Sequence, residues 1–297
     1  MTQAAEVSPA AEVTVDPVAA PTGRRSVNLL LVGGIAIMVL LILFGYLGPF
    51  FVDTSMSKVG SVVPSQLPSW EHPLGTDVPG RDILVLLILG TPQTLKIGLI
   101  AGSVGLGIGA FLGLASGYFG GRIDAFVRLV TDVFLTIPTL AILIVVASMV
   151  RVLSIEGMAL IVASLAWMVP TRTIRSQVLT LRERRYVQLA RLSGSSHLEI
   201  IFTEIMPNLI PFIAATLVLA ISTGILAAIG LEILGLGPSD IPSLGALIFW
   251  AQYYDAVFRG MWWWFLPPIL VLVLIFSSLF MISTGLDRMS NPRIGKA

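Results

Sequence analysis

Three side chains suited to metal binding, His72, Asp77 and Asp82, fall close together in the stretch WEHPLGTDVPGRDIL, residues 70–84. An imidazole and two carboxylates are donor types of a zinc-like site, but their spacing alone fixes no coordination geometry. Pro73, Gly75, Pro79 and Gly80 break the same stretch into turns. The expectation is a hydrogen-bonded loop without metal, then a short apolar helix that opens at Arg81-Asp82 and ends near Gly90. GLGIGA at Gly105–Ala110 shares letters with a dinucleotide fingerprint, yet no strand precedes it and it lies inside an apolar run. Arg172 and Arg175, then Arg182 and Arg185, are spaced by three like the arginines of a voltage sensor. The dense polar run from Arg182 to Arg191 does not suit a membrane interior, which weighs against that channel-like alternative. Asp132 could line a polar path, but Arg128 stands four residues before it and the spacing predicts a surface ion pair. There is no Walker A, HExxH or GxSxG motif and no cysteine, which excludes thiol catalysis, disulfides and zinc–thiolate sites. The residues give no catalytic constellation, so the chain reads as a non-enzyme.

What must hold these residues is a membrane bundle. Of 297 residues 56% are hydrophobic and 12% charged, with a mean hydropathy of +0.92; soluble domains carry about 25% charged residues. Six runs are long enough to cross a bilayer as helices: Val27–Val52, Gln93–Tyr118, Ala125–Val150, Gly157–Leu179, Met206–Leu231 and Trp264–Leu286. The fold class is therefore an all-α integral membrane protein. Residues 1–26 form a polar tail, 27–92 a first span with its loop and short helix, and 93–297 a core of five spans. With both termini in the cytoplasm, 13 of the 18 Lys and Arg residues lie on the cytoplasmic side and 5 on the external side, as the positive-inside rule asks.

Several elements carry further signals. Gly98, Gly102, Gly105, Gly109, Gly113 and Gly117 share the second span, and the last four recur every fourth residue, a smooth stripe for close helix packing. Pro138 should kink the third span. Between two apolar runs, Arg184 to Leu192 reads as a short basic helix with Tyr186, Leu189 and Ala190 on one face. Gly194 then falls where a left-handed cap would sit. Ser196 and Glu199 match a capping box, and Pro207 and Pro211 punctuate the continuation. The product is a helix–glycine turn–helix elbow. From Glu232 the chain leaves the membrane in a glycine- and proline-rich loop, about residues 232–263, with Trp250, Tyr253 and Tyr254 as aromatic surface. Glu232 reads either as a carboxylate at the mouth of a pathway or as a solvated loop residue. Trp262, Trp263 and Trp264 read as an interfacial aromatic belt.

The elbow resembles the coupling loop of ABC importer permeases of the oligopeptide/dipeptide/nickel family, through Tyr186, Val187, Ala190, Gly194, Pro207 and Asn208. Gln188 and Leu189 stand where Glu-Ala is usual. His72, Pro73, Leu74, Gly75, Thr76 and Asp77, then Gly80, Arg81 and Asp82, are similar to the same family's external-loop signature. The likeness runs from about Val27 to Arg293. It departs at Ala228, where the family has Glu, at Leu244, where it has Trp, and at the reversed pair Asp287-Arg288. The resemblance implies a permease subunit in the cell membrane that pairs with a second, homologous permease. It implies two ATPase subunits carrying ATP and magnesium, a solute-binding protein outside, no cofactor on this chain and no nucleic acid. Tyr186, Val187, Leu189, Ala190, Gly194, Ser195 and Pro207 would then couple to the ATPase, through a loop of about residues 180–205. The 232–263 loop would be a scoop in which Trp250 or Tyr253 meets the binding protein.

Overall fold

The computed structural model describes residues 28–150, 153–238 and 241–290. The tail expected over 1–26 lies outside them, as do Arg151, Arg293 and Lys296 of the charge count. The described chain is helical: α1 (Leu29–Leu47), α2 (Ile83–Phe119), α3 (Gly121–Thr136), α4 (Thr139–Ser148), α5 (Ile155–Ala166), α6 (Met168–Arg182), α7 (Arg185–Leu192), α8 (His197–Glu199), α9 (Met206–Ile233), α10 (Leu244–Tyr253) and α11 (Trp262–Ser290). Four helices are long and apolar enough to cross a membrane, and the bent pairs α3–α4 and α5–α6 bring the number to six if each is one span.

The breaks have local causes. Ile137 is extended because the ring of Pro138 disfavours the helical region for the residue before it, and α3 and α4 meet at 80°. This is a full break where the sequence predicts a kink. Pro170 has no N–H for the carbonyl of Ala166, where α5 ends, and α5 and α6 meet at 43°. By contrast, α2 runs unbroken through Pro92, so the short helix expected to end near Gly90 is the first part of one 37-residue helix. Asp82 starts it by accepting from the N–H of Val85 at 3.0 Å. Between α8 and α9 lies a π-helical stretch, Ile200–Ile205. It widens the backbone just ahead of Pro207, whose ring would otherwise press on the carbonyl one turn earlier.

Around α2 pack α6, α9 and α5, while α1 lies chiefly along α11. The glycine stripe lets α6 in: a Cβ on Gly109 would stand 2.7 Å from the Trp167 carbonyl oxygen, and one on Gly113 would stand 2.9 Å from that of Thr171. Gly102 does the same for α9, at 2.6 Å from the Ile221 nitrogen. Apolar packing forms three clusters along the bundle, one around Trp264 and Leu244, one around Met158 and Leu143, and one around Val187 and Ile200. The loop before α2 and the elbow α7–α8 sit at opposite ends of α2, since Asp82 at its start holds His72 and Tyr118 near its end meets His197.

Candidate functional site

The elbow is built by two capping motifs back to back. At the end of α7, the N–H of Ser195 donates to the carbonyl of Ala190 and that of Gly194 to Arg191, both at 3.1 Å. This is the paired bonding of a Schellman cap, and it places Gly194 at φ +83°. A Cβ there would meet nothing within 4 Å, so backbone conformation and not crowding selects glycine. Ser196 and Glu199 then close the expected capping box. Asn208 in the following helix donates from its side chain to the Glu204 carbonyl.

The face assigned to α7 needs correction. Val187 is its buried residue and Ala190 packs beside it in the same cluster, while Leu189 is exposed and Tyr186 sits at the edge of exposure. Tyr186, Leu189 and Ala190 do share a side by helix spacing, but the buried centre of α7 is Val187, and Ala190 lies at the border between it and the exposed Tyr186 and Leu189. With Leu192, Leu198 and Phe202 also exposed, the elbow presents an apolar surface among Arg184, Arg185 and Arg191.

At the other end of α2, the signature residues fasten one another. His72 Nδ1 lies 2.7 Å from Asp82, both buried. Asp77 is fully buried and accepts from the backbone N–H and from Nε of Arg81, at 2.7 and 2.6 Å. Burial pushes the Asp77 carboxyl up, while the charge of Arg81 and the N–H groups of Arg81 and Gly80 pull it down. Asp77 thus turns away from the His72–Asp82 pair, and the three donors do not converge. Among the described residues no group of three such donors is placed to hold a metal. Gly75 and Gly80 take φ of +68° and +76° in the turns.

Arg81 also lies over the Trp250 ring, 5.7 Å from its centroid, which ties this loop to α10. Trp250 stacks on Tyr254, and Tyr254 on Trp264, so Trp250 is engaged within the protein and Tyr253 is the one of the two scoop candidates left exposed. The tryptophan belt is likewise corrected. Trp263 and Trp264 are buried, with Trp263 Nε1 donating to the Thr76 carbonyl, and Trp262 alone of the three is exposed.

Glu232 is neither a solvated loop residue nor open at a mouth: it is 1% exposed. Its Oε1 accepts from Ser243 Oγ at 2.6 Å, and Ser243 in turn caps α10 through the N–H of Ala246. Thr94 of α2 accepts from the N–H of Leu244 at 3.0 Å. Together these bonds pin the start of α10 onto α9 and α2. Oε2 makes no complete hydrogen bond among the described residues and lies against Gly245, whose backbone N–H faces the carboxylate and where a Cβ would run into it. Glu232→Gln keeps an oxygen for Ser243 but sets an unpaired amide NH2 against Gly245, so it should melt below the parent in detergent by about 1–3 kcal/mol. Glu232→Ala and Ser243→Ala should each lose about 1–3 kcal/mol by orphaning a buried partner. A Gln variant that melts like the parent would show that the buried position of Oε2 tolerates a donor and that the Ser243 bond alone pins α10.

The arginine spacing has a structural use. Arg172 bonds Asp132 at 2.7 Å, and Arg175 is held bidentately by Asp124, so both tie α6 to α3. Asp132 thus pairs across helices with Arg172 and not along its own helix with Arg128. Arg182 donates to the Gly117 carbonyl of α2. Beyond these pairs, an apolar groove of about 530 Å³ opens between α4, α5, α6 and α9, lined by Leu140, Leu165, Phe212 and Leu219 and by Thr139, Thr173, Thr216 and Thr223, of which the last three donate their hydroxyls to carbonyls of their own helices.

A bundle of spans with one capped elbow at one end, a pinned helix at the other and a lateral groove between them defines a polytopic all-α membrane protein. The family of binding-protein-dependent transport system inner membrane components matches residues 105–296. The oligopeptide transport system permease protein OppC of Lactococcus lactis subsp. cremoris (strain SK11) is 32% identical over 223 residues, 75% of this chain and 76% of its own. OppC of Mycobacterium tuberculosis (strain ATCC 25618 / H37Rv) is 31% identical over 252 residues, 84% of this chain and 86% of its own. The dipeptide transport system permease protein DppC of Alkalihalophilus pseudofirmus is 29% identical over 270 residues, 90% and 87% of the two chains. The chain belongs to this family of ABC importer permeases, whose members are transport subunits and not enzymes.

Proposed function

We propose that this chain forms, with a second homologous permease, the translocation pathway of an ATP-driven importer for peptides or related solutes. An extracytoplasmic binding protein would deliver the solute, and two ATPase subunits, carrying ATP and magnesium, would dock on the elbows of the two permeases. The chain itself binds no cofactor and catalyses no reaction. The solute class follows the oligopeptide and dipeptide permeases among the relatives. The mostly apolar groove between α4, α5, α6 and α9, with threonines among its lining, supports a pathway wall.

The observation that carries this reading is the uncovered apolar surface of the elbow. Leu189, Leu192, Leu198 and Phe202 are exposed on a segment continuous with α6 and α9 and fastened through buried Val187. Such a surface on a capped, basic limb fits a partner protein. A photo-crosslinking residue at Leu189 should capture an ATPase subunit in the assembled complex, whereas one at Leu99, exposed midway along α2, should not. Failure at Leu189 would sink the docking role.

Both termini and the elbow are assigned to the cytoplasm, on the Lys and Arg distribution. The chain has no cysteine, so single replacements report cleanly. An impermeant thiol reagent applied to intact cells should label Ser61→Cys, in the loop before α2, and spare Ser193→Cys, at the elbow. The opposite pattern would reverse the orientation and remove the elbow from the ATPase side.

A further inference from the structure

Helices α6 and α9 are joined to the elbow through the chain, but α2, the helix on which both of them pack, is not. Its last turn reaches the elbow through Tyr118. The Tyr118 hydroxyl and His197 Nδ1 lie 3.0 Å apart and share one hydrogen. The guanidinium of Arg191 sits over the Tyr118 ring, 5.4 Å from its centroid, and the rings of Phe119 and His197 meet it edge-on at 5.1 and 5.7 Å. Arg191 belongs to α7 and His197 opens α8, so Tyr118 touches the elbow on both sides of Gly194. The ring is buried, which fixes the direction of its hydroxyl.

We infer that Tyr118 is a positioning residue that carries displacement of the elbow into α2; this rests on the reading of the elbow as the ATPase dock. The elements beyond it suit that role. The helix runs unbroken over 37 residues, roughly 55 Å at the usual rise. Its glycines leave α6 no space to slide away, since a Cβ on Gly117 would already stand 2.8 Å from Val178 Cβ. At the far end, Asp82 holds His72, and Thr94 holds the first N–H of α10. A shift received at Tyr118 therefore moves a rod whose other end anchors the scoop helix. Besides this joint, α2 meets the coupling segment through the Arg182 bond to the Gly117 carbonyl, at the C-terminal end of α6, and through apolar contacts, which resist sliding weakly because they have no preferred direction.

The test is a double-mutant cycle in the reconstituted complex with solute-loaded binding protein. Tyr118→Phe keeps the ring under Arg191 and removes the hydroxyl. His197→Ala removes the partner from the exposed side. Each should lower the ratio of stimulated to unstimulated ATP hydrolysis about 5-fold, the scale of one lost hydrogen bond. The double variant should fall no further, because one interaction cannot be lost twice. His197→Gln, whose amide can pair with the hydroxyl, should recover most of the ratio. A merely structural role for Tyr118 would lower complex yield and leave the cycle additive. An unchanged ratio in Tyr118→Phe, or additive losses, overturns the inference while crosslinking at Leu189 still upholds the dock. If Leu189 captures no ATPase, the dock falls and the inference falls with it.

Discussion

Replacing Gly194 with valine is expected to abolish solute-stimulated ATP hydrolysis and uptake while the permease still inserts and assembles. Gly194 sits at φ +83° in a turn closed by two backbone bonds, and open space surrounds the position of a Cβ. Volume is thus not the obstacle. A β-branched side chain in the left-handed region costs about 1–3 kcal/mol of local strain, and relief of that strain would straighten the turn that sets α7 against α8. Insertion should survive, since each span satisfies its backbone hydrogen bonds internally. The open surroundings also fix the order of milder variants. Asparagine tolerates positive φ better than alanine, so Gly194→Asn should couple better than Gly194→Ala, with Gly194→Val worst. The measurement is ATPase stimulation in reconstituted complexes. An order with Asn below Ala would mean that an assembled partner crowds the turn, and normal coupling in Val would remove Gly194 from the mechanism.

The elbow was legible in sequence because every signal in it is local. A cap glycine, a serine and a glutamate three residues later act on their own backbone, so letters and spacing suffice for Gly194, Ser196 and Glu199. The helix start at Asp82 was legible for the same reason. What escaped depends on partners distant in sequence. Asp132 has Arg128 within one turn, but Arg172, forty positions along, offers a direct approach across helices, and nothing in the local pattern marks it. Glu232 looked like a boundary carboxylate because its neighbours are a glycine-rich loop. Its burial follows from α10 folding back, with Ser243 placed to donate to it. The tryptophan triplet matched a membrane belt by composition alone, while Thr76, on another loop, draws Trp263 inward. The short helix was expected to end near Gly90 and the next span to open at Gln93, yet α2 continues through Pro92, which forgoes only the one backbone bond its missing N–H would have made. On the elbow's first helix the apolar face read from sequence left out Val187, whose burial is set by the packing of α7 on the rest of the bundle and not by the local pattern.

The glycine stripe supplies the second large effect, and it contains its own control. Gly109→Leu is expected to yield no monodisperse permease. A Cβ there would stand 2.6 Å from Pro170 Cβ, 2.7 Å from the Trp167 carbonyl oxygen and 3.0 Å from the Thr171 nitrogen. Two of those atoms are backbone, and the third belongs to a proline ring, so none can rotate away. Overpacking a well-filled interior costs about 1–3 kcal/mol even when side chains can adjust, and here α2 and α6 must separate. Separation would also pull apart the Asp124–Arg175 and Asp132–Arg172 pairs only if α3 stayed with α2, so those pairs add resistance at the elbow end. Gly107, two residues earlier on the same helix, has nothing within 4 Å of a Cβ. Gly107→Leu should therefore express and melt like the parent, with a small gain from helix propensity, about 0.5–1 kcal/mol. Gly109→Ala should fall between the two, since one methyl group meets the same rigid atoms with less reach. Yield from size-exclusion chromatography and melting temperature in detergent read the series directly. Equal loss at residues 107 and 109 would mean that α2 needs glycine for flexibility along its length. Equal tolerance would mean that α2 and α6 do not pack through this stripe, and would deprive α2 of the rigid coupling that the Tyr118 joint requires.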